Sequence, residues 1–319
     1  MYSATMNLFV KKTDDIQKIA ISELATTWNF TPSNRFIERF EKSHLKFKAL
    51  NTEEYNSNVQ KIHQSLETSI EKAGAHRILK WESGWSENLQ EFNKTIQQNS
   101  LIPKYFGKIP TIRWKQEWIK PLDKSMEYHF FGLMLDWIYE KYFSGAENLY
   151  EFGCGTGHNL LRARSLFPDL KLTGLDWAKS SQETIKLIAV KTRDNNLNAF
   201  EFDYFNPSTE LKIEKNSIVL TVASLEQTGE EFEKFIDFLV EAKPNLVIHI
   251  EPIEELLDEN NLLDFLSIKY FRKRNYLKGL LSYLRRLELN KSISILESKR
   301  TFVGSFFIDG YSLIVWKPN

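Results

Sequence analysis

Three glycines at every second position, in Glu151-Phe152-Gly153-Cys154-Gly155-Thr156-Gly157-His158-Asn159, are the residues of this chain whose spacing most directly suggests chemistry. Glycine lets a backbone turn tightly and approach a ligand where a side chain would clash. A strand-like run, Glu147 to Phe152, enters the loop and a helix-like run, Asn159 to Phe167, leaves it. The helix therefore opens with unpaired N–H groups that favour carboxylate or phosphate. Asp176 closes the next strand-like run about twenty residues on, where an acidic side chain can accept hydrogen bonds from both hydroxyls of a ribose. Asp203 closes the third, placed to reach an adenine amino group, with Trp177 and Tyr204 as aromatic neighbours able to flank the base. Either aspartate alone reads equally well as a loop cap. Matches at three successive strand ends point together to an adenosine-bearing ligand.

Proton-transfer candidates lie further along. Val247-Ile248-His249-Ile250-Glu251-Pro252 puts His249 and Glu251 two apart, on one face of an extended segment. An imidazole of near-neutral pKa suits proton removal, and a nearby carboxylate can orient it. The competing reading is a histidine satisfied inside a sheet and a carboxylate capping the next helix. Glu226, in the loop after the fourth strand-like run, is the third candidate, whereas His158 reads as a group that positions a cofactor or a lid. The basic, aromatic stretch Lys269-Tyr270-Phe271-Arg272-Lys273-Arg274-Asn275-Tyr276 suits a phosphate, a carboxylate or an RNA backbone, or simply a solvated helix face.

The elements that must hold these residues alternate. Strand-like runs at 147–152, 170–175, 199–202, 217–222 and 246–250 are separated by helix-like runs at 159–167, 180–193 and 230–242. That is the pattern of parallel βαβ units with helices on both faces. Runs at 292–296 and 311–316, with no helix between them, are expected to pair antiparallel. The fold expected is α/β, a doubly wound, mostly parallel seven-stranded sheet with an antiparallel last strand pair. Ahead of it, residues 1–122 read as a helical N-terminal segment, a possible substrate lid, and residues 123–319 as the sheet domain. Tyr55, Val59, Ile62, Leu66 and Ile70 recur at helical spacing on one face of a long helix within 51–99. Trp81, Trp85, Trp114 and Trp118 read as core of this layer or as substrate lining.

Composition narrows the class. Of 319 residues, 42% are hydrophobic and 26% charged, the proportions of a soluble globular protein. Lys plus Arg equals Asp plus Glu at 42 each, so the basic excess of a phosphate-neutralising nucleic-acid binder is missing and nucleic acid is not the expected partner. The one cysteine, Cys154, excludes a disulfide framework and a multi-cysteine zinc site, and no metal is expected. No apolar run approaches the roughly 20 residues needed to span a bilayer. Met1 to Lys12 lacks the apolar core of a secretory signal, so a cytoplasmic protein with no membrane partner is expected.

A dinucleotide fingerprint requires glycine at the sixth place from Gly153, which is His158, so that fingerprint fails. From about Met126 to Asn319 the chain instead resembles the class I S-adenosylmethionine-dependent methyltransferases, a Rossmann-like family whose first motif reads E/D-x-G-x-G-x-G. The resemblance extends to Ala223-Ser224-Leu225-Glu226-Gln227 and to Ala242-Lys243-Pro244-Asn245-Leu246, where Asn245 replaces a usual glycine. It implies S-adenosyl-L-methionine as cofactor, held by the loop of Glu151, Gly153, Gly155 and Gly157, with the ribose on Asp176 and the adenine on Asp203 between Trp177 and Tyr204. It also implies methyl transfer to O or N of a small-molecule or sugar-containing acceptor. Macromolecular acceptors (RNA or protein), and a non-catalytic binding module that keeps the fold, are the alternatives.

Overall fold

The computed structural model describes residues 15–208 and 210–319, so the stretch Met1 to Lys12 lies outside the described residues. The first part of the chain contains β1 (Gln17–Lys18), α1 (Ile21–Trp28), α2 (Asn34–Ser43), β2 (Lys46–Ala49), α3 (Thr52–Glu67), α4 (Ile78–Thr95), β3 (Ile112–Trp114) and β4 (Glu117–Pro121). It is followed by α5 (Met126–Tyr142), β5 (Asn148–Phe152), α6 (His158–Leu166), β6 (Lys171–Asp176), α7 (Lys179–Thr192), β7 (Leu197–Glu201) and β8 (Ser217–Val222). The chain ends with α8 (Glu233–Ala242), β9 (Leu246–Glu251), α9 (Leu262–Arg274), α10 (Leu280–Leu289), β10 (Ile293–Arg300), β11 (Val303–Gly304) and β12 (Ser312–Pro318).

The main sheet has the order β10-β12-β9-β8-β5-β6-β7. The strands from β9 through β7 are parallel, and β12 runs antiparallel to both β9 and β10, as the sequence pattern predicts. Side chains alternate across a strand, and β9 shows the consequence. Val247 joins the layer formed with Phe235, Leu239 and Leu284 of α8 and α10, while Ile248 and Ile250 join the layer formed with α5 and α6. Among the described residues no helix is long and apolar enough to cross a membrane.

The N-terminal part differs from the expectation of a helical segment. It carries a second, five-stranded sheet, β1-β2-β4-β3-β11, whose last strand comes from the far end of the chain. Val303 pairs with Trp114 and Gly304 with Arg113, antiparallel. These strands are two to five residues long, too short to show a period-2 pattern, and their partners are remote in sequence. The single helix expected within 51–99 is two helices. Asn51 and Glu54 form a capping box that starts α3. The chain breaks at 68–77, where Gly74 takes φ +147°, before α4 begins. Helices α9 and α10, between β9 and β10, are further elements that the sequence reading does not assign.

His249 sits in the middle of the main sheet and is 0% exposed. It lies opposite Thr221 in the β8–β9 register. The Trp316 Nε1–H donates to His249 Nε2 at 3.0 Å, so the ring proton is on Nδ1, which reaches Thr221 Oγ1 at 2.9 Å. Burial pushes its pKa down to about 3 and keeps it neutral. The imidazole therefore has no lone pair left to take a substrate proton, which corrects the reading of His249 as a base. Replacing His249 by alanine leaves a cavity and an unpaired buried indole N–H, and is expected to lower stability by about 3 kcal/mol. Urea unfolding measures this, and a loss under about 1 kcal/mol would contradict a structural role.

Candidate functional site

A cavity of about 390 Å³ opens beyond the carboxyl ends of β5, β6 and β8. In β5 the strand order turns: β6 and β7 lie to one side, β8 and β9 to the other. Loops leaving β5 and β8 diverge there, which is where ligands of open α/β sheets bind.

The glycine loop forms one wall. Gly153, Gly155 and Gly157 all adopt positive φ (+70°, +53° and +76°), the region that side-chain-bearing residues rarely take. The N–H groups of Gly153 and Cys154 donate to Leu175 O at 2.7 and 3.1 Å, tying the loop to β6. Gly153 and Gly155 line the cavity. A Cβ on Gly153 would stand 2.4 Å from Ser224 Cβ, and one on Gly155 3.0 Å from the Trp85 ring. Gly157 lies elsewhere than expected: a Cβ there would stand 2.2 Å from Ile185 Cδ1, so its bareness serves α6–α7 packing, and it does not line the cavity.

Asp176 lines the cavity at 5% exposure. Its Oδ2 accepts the Gly155 N–H and its Oδ1 the Ala178 N–H, both at 2.9 Å. A carboxylate offers about four lone-pair sites, so capacity remains for ligand hydroxyls. Burial raises its pKa to about 6, with the backbone N–H donors opposing. Trp177 also lines the cavity and stacks on Phe205 with centroids 5.9 Å apart and planes 25° apart. Tyr204 lines it too, with its hydroxyl 2.9 Å from Ser224 Oγ. Asp203 is not among the lining residues. Its carboxylate caps the following turn through Phe205 N at 2.9 Å and Asn206 Nδ2 at 3.0 Å, one step outside the cavity lining.

Glu151 is fully buried behind the loop and does not line the cavity. Its Oε1 accepts Asn159 Nδ2 at 2.7 Å, and its Oε2 and the Asn159 Oδ1 have no partner. Burial raises its pKa to about 8. Asn159, at the start of α6, does line the cavity, a residue the sequence reading passed over. His158 lies beside it. The Thr156 hydroxyl gives its one hydrogen to Leu101 O at 2.6 Å, so the 3.2 Å contact to His158 Nδ1 must be donated by the ring. Nε2 then carries the lone pair, and it has no partner.

Of the three proton-transfer candidates, the structure brings only Glu226 to the cavity, at 8% exposure. Its pKa rises to about 8 through burial and the neighbouring Glu251. Glu251 is away from the cavity, fully buried, and accepts the N–H groups of Ser224, Leu225 and Glu226 at 3.1, 3.0 and 3.2 Å. It shapes the loop that carries Glu226, which corrects its reading as a reacting group. Among the described residues no cluster of His, Cys, Asp and Glu is arranged to hold a metal ion.

The roof comes from the N-terminal part. Trp81 and Trp85 of α4 stack at 5.5 Å and line the cavity. Helix α4 is clamped to α7 through Ser180, whose N–H donates to the Glu82 carboxylate at 3.1 Å and whose hydroxyl donates to Glu82 O at 3.1 Å. Arg77 Nη1 donates to Gln227 Oε1 at 2.6 Å, reaching the loop of Glu226. Tyr105 and Glu127 also line the cavity, neither singled out from the sequence. The signals available were the four-residue spacing of two tryptophans and one carboxylate at the start of an otherwise apolar helix. The basic stretch at 269–276 is spent within the protein: Arg272 Nε donates to Glu254 Oε1 at 2.9 Å, Lys273 donates to Leu66 O and Arg274 to Glu71 O.

No family model matches the chain. No curated protein matches it in sequence. Among solved structures, it is similar to an O-methyltransferase from neocarzinostatin biosynthesis in complex with S-adenosylmethionine and 2-hydroxy-5-methyl naphthoic acid. Identity is 14%, the alignment covers 75% of this chain and 69% of that one, and the TM-score is 0.43. It is also similar to human N-acetylserotonin methyltransferase in complex with S-adenosylmethionine (14% identity, 62% and 57% coverage, TM-score 0.38). A third similar structure is geranyl diphosphate C-methyltransferase from Streptomyces coelicolor with S-adenosyl-L-homocysteine (11% identity, 63% and 86% coverage, TM-score 0.43). The chain's own strand order makes it a doubly wound, Rossmann-like α/β protein with an antiparallel last pair.

Proposed function

We propose that this chain is a class I S-adenosylmethionine-dependent methyltransferase acting on O or N of a small-molecule or sugar-containing acceptor in the cytoplasm. The observation that carries the reading is the bare turn Gly153–Gly155 at the point where the strand order reverses, bonded to the carboxylate of Asp176 and facing a cavity. The donor set fits the cofactor. Asp176 retains lone pairs for the ribose hydroxyls, Trp177 and Phe205 offer an aromatic wall for the base, and Asn159, a lining residue whose Oδ1 lacks a donor, stands beside the glycine turn.

Bound there, S-adenosylmethionine supplies a methyl group already activated by its sulfonium, so the protein has mainly to align the acceptor and take its proton. Glu226 is the group we assign to that proton, held in place by Glu251 through three backbone N–H groups. The N-terminal part is the lid: Trp81 and Trp85 roof the cavity, and Arg77 links that roof to Gln227, so closure excludes water from the acceptor.

Calorimetric titration should give saturable binding of S-adenosylmethionine and S-adenosylhomocysteine and none of NAD, and Asp176→Ala should weaken S-adenosylhomocysteine by at least about tenfold, since two charge-assisted ribose bonds are lost. Unchanged affinity in that variant would remove Asp176 from the site. Once a labelled-methyl screen against metabolites and RNA identifies an acceptor, Glu226→Gln should lower kcat by about 10²- to 10⁴-fold with S-adenosylhomocysteine affinity kept. Full turnover in Glu226→Gln would end its assignment as the base.

A further inference from the structure

The cavity has two unlike ends. Asp176, Trp177 and Phe205 mark the end assigned above to the cofactor. The other end is built around Glu127, Glu226 and His158, with the rings of Tyr105, Phe131 and Tyr311 between them. Glu127 and Glu226 line the same cavity as these rings, and Phe131 lies 5.1 Å from Tyr311 and 6.2 Å from His158 between ring centroids.

Each group here is an acceptor without a matching cation. Glu127 is anchored through Oε2 by the Gly107 N–H at 2.7 Å, and Glu226 through Oε1 by Gln227 Nε2 at 2.9 Å. The second oxygen of Glu127 is left over, and Glu226 has the Tyr276 hydroxyl as a further neighbour. His158 is 9% exposed, and the direction of its Nδ1 bond leaves the Nε2 lone pair facing no protein donor. Lys108 is the lining cation among the described residues, and it is exposed. Arg77 and Arg274 carry charge near Glu226 from behind the wall, bonded to Gln227 and to Glu71 O, and neither lines the cavity. Burial pushes Glu127 up to about 7, and burial together with the neighbouring Glu251 pushes Glu226 to about 8 against the opposing charge of Arg274.

Aromatic faces attract cations through the ring quadrupole, and carboxylates do so by charge. Among the described residues an anionic acceptor would meet two carboxyl groups lining this end and no lining cation besides the exposed Lys108. We infer that this end of the cavity recognises an ammonium group on a flat apolar body, so that the acceptor is an amine rather than a carboxylic acid, a phosphate or a neutral alcohol. The inference rests on the methyltransferase reading for its role in a reaction, but not for the binding itself.

Three probes of one shape separate the classes: tryptamine, indole-3-propionate and tryptophol, which present an ammonium, a carboxylate and a hydroxyl on the same ring. Each is titrated into the full chain, alone and with saturating S-adenosylhomocysteine, and followed by calorimetry and by the shift in melting temperature. Tryptamine is expected to bind at least tenfold more tightly than either isostere. Glu127→Gln and Glu226→Gln, nearly isosteric changes checked for folding by their own melting curves, should each erode that preference. Equal affinities, a preference for the acid, or no binding of any of the three overturns the inference. Failure of S-adenosylhomocysteine to bind while tryptamine still binds selectively would instead count against the methyltransferase reading and leave the amine site standing.

Discussion

The carboxylate of Asp176 is the clasp on which the site depends. One oxygen holds the glycine turn after β5 and the other holds the start of the segment leading to α7. Two loops that leave adjacent parallel strands are thereby fixed to each other. Such an arrangement requires a buried charge, and burial disfavours the charged form. Two backbone N–H donors oppose that cost without cancelling it, since the pKa still rises to about 6. The clasp also explains why the loop is glycine-rich. Its backbone takes a conformation that side-chain-bearing residues resist, and it stays bare enough for Ser224 and Trp85 to pack directly on it.

On the other side of the reversal, Glu251 plays the equivalent part. It receives three consecutive N–H groups and so fixes the backbone from Ser224 to Glu226. Ser224 in turn donates to Phe152 O at 3.0 Å, joining this loop to the end of β5. The cavity wall at Phe306 and Phe307 is held from further away. Buried Arg113 of β3 donates to Phe307 O at 2.8 Å, Leu263 O at 2.7 Å and Ser267 Oγ at 2.6 Å, while Trp118 Nε1 donates to Phe306 O at 3.1 Å. Since β11 is the edge strand of the N-terminal sheet, the first and last parts of the chain build this wall together. The N-terminal part is thus structural scaffold for the cavity as well as its roof.

The sheet was legible because its information is local. Each βα unit carries its own alternation of hydrophobic period, and the glycine loop and Asp176 sit at strand ends that the pattern locates. The second sheet was not, because its strands are short and β11 meets β3 across most of the chain. For the site, residue type identified acids and bases but not where they faced. His249 and Glu251 share a face as their spacing requires, yet that face packs against Trp316, Thr221 and the loop backbone instead of opening to ligand. Asp203 closes its strand as expected, yet its nearest donors are its own turn. Trp81 and Trp85 read from the sequence as core or as lining, and Glu127 opens a helix, but which way these elements face the sheet depends on tertiary contacts that their sequence neighbourhood does not carry.

The buried carboxyl groups give the cavity its electrostatic character. In the unfolded chain a glutamate titrates near its ordinary value of 4.5. In the folded protein Glu127 is raised to about 7, Glu151 to about 8 and Glu226 to about 8. The folded state therefore holds protons that the unfolded state has released between these values. By linkage the stability these groups allow is fully present below the unfolded pKa and declines as pH rises toward the folded ones. A bound cation flattens that slope, because it favours the ionised carboxylate and lowers the folded pKa toward the unfolded one. Glu127 and Glu226 thus line the cavity as groups that ionise only at a cost near neutral pH, a cost that a positive charge placed beside them lowers.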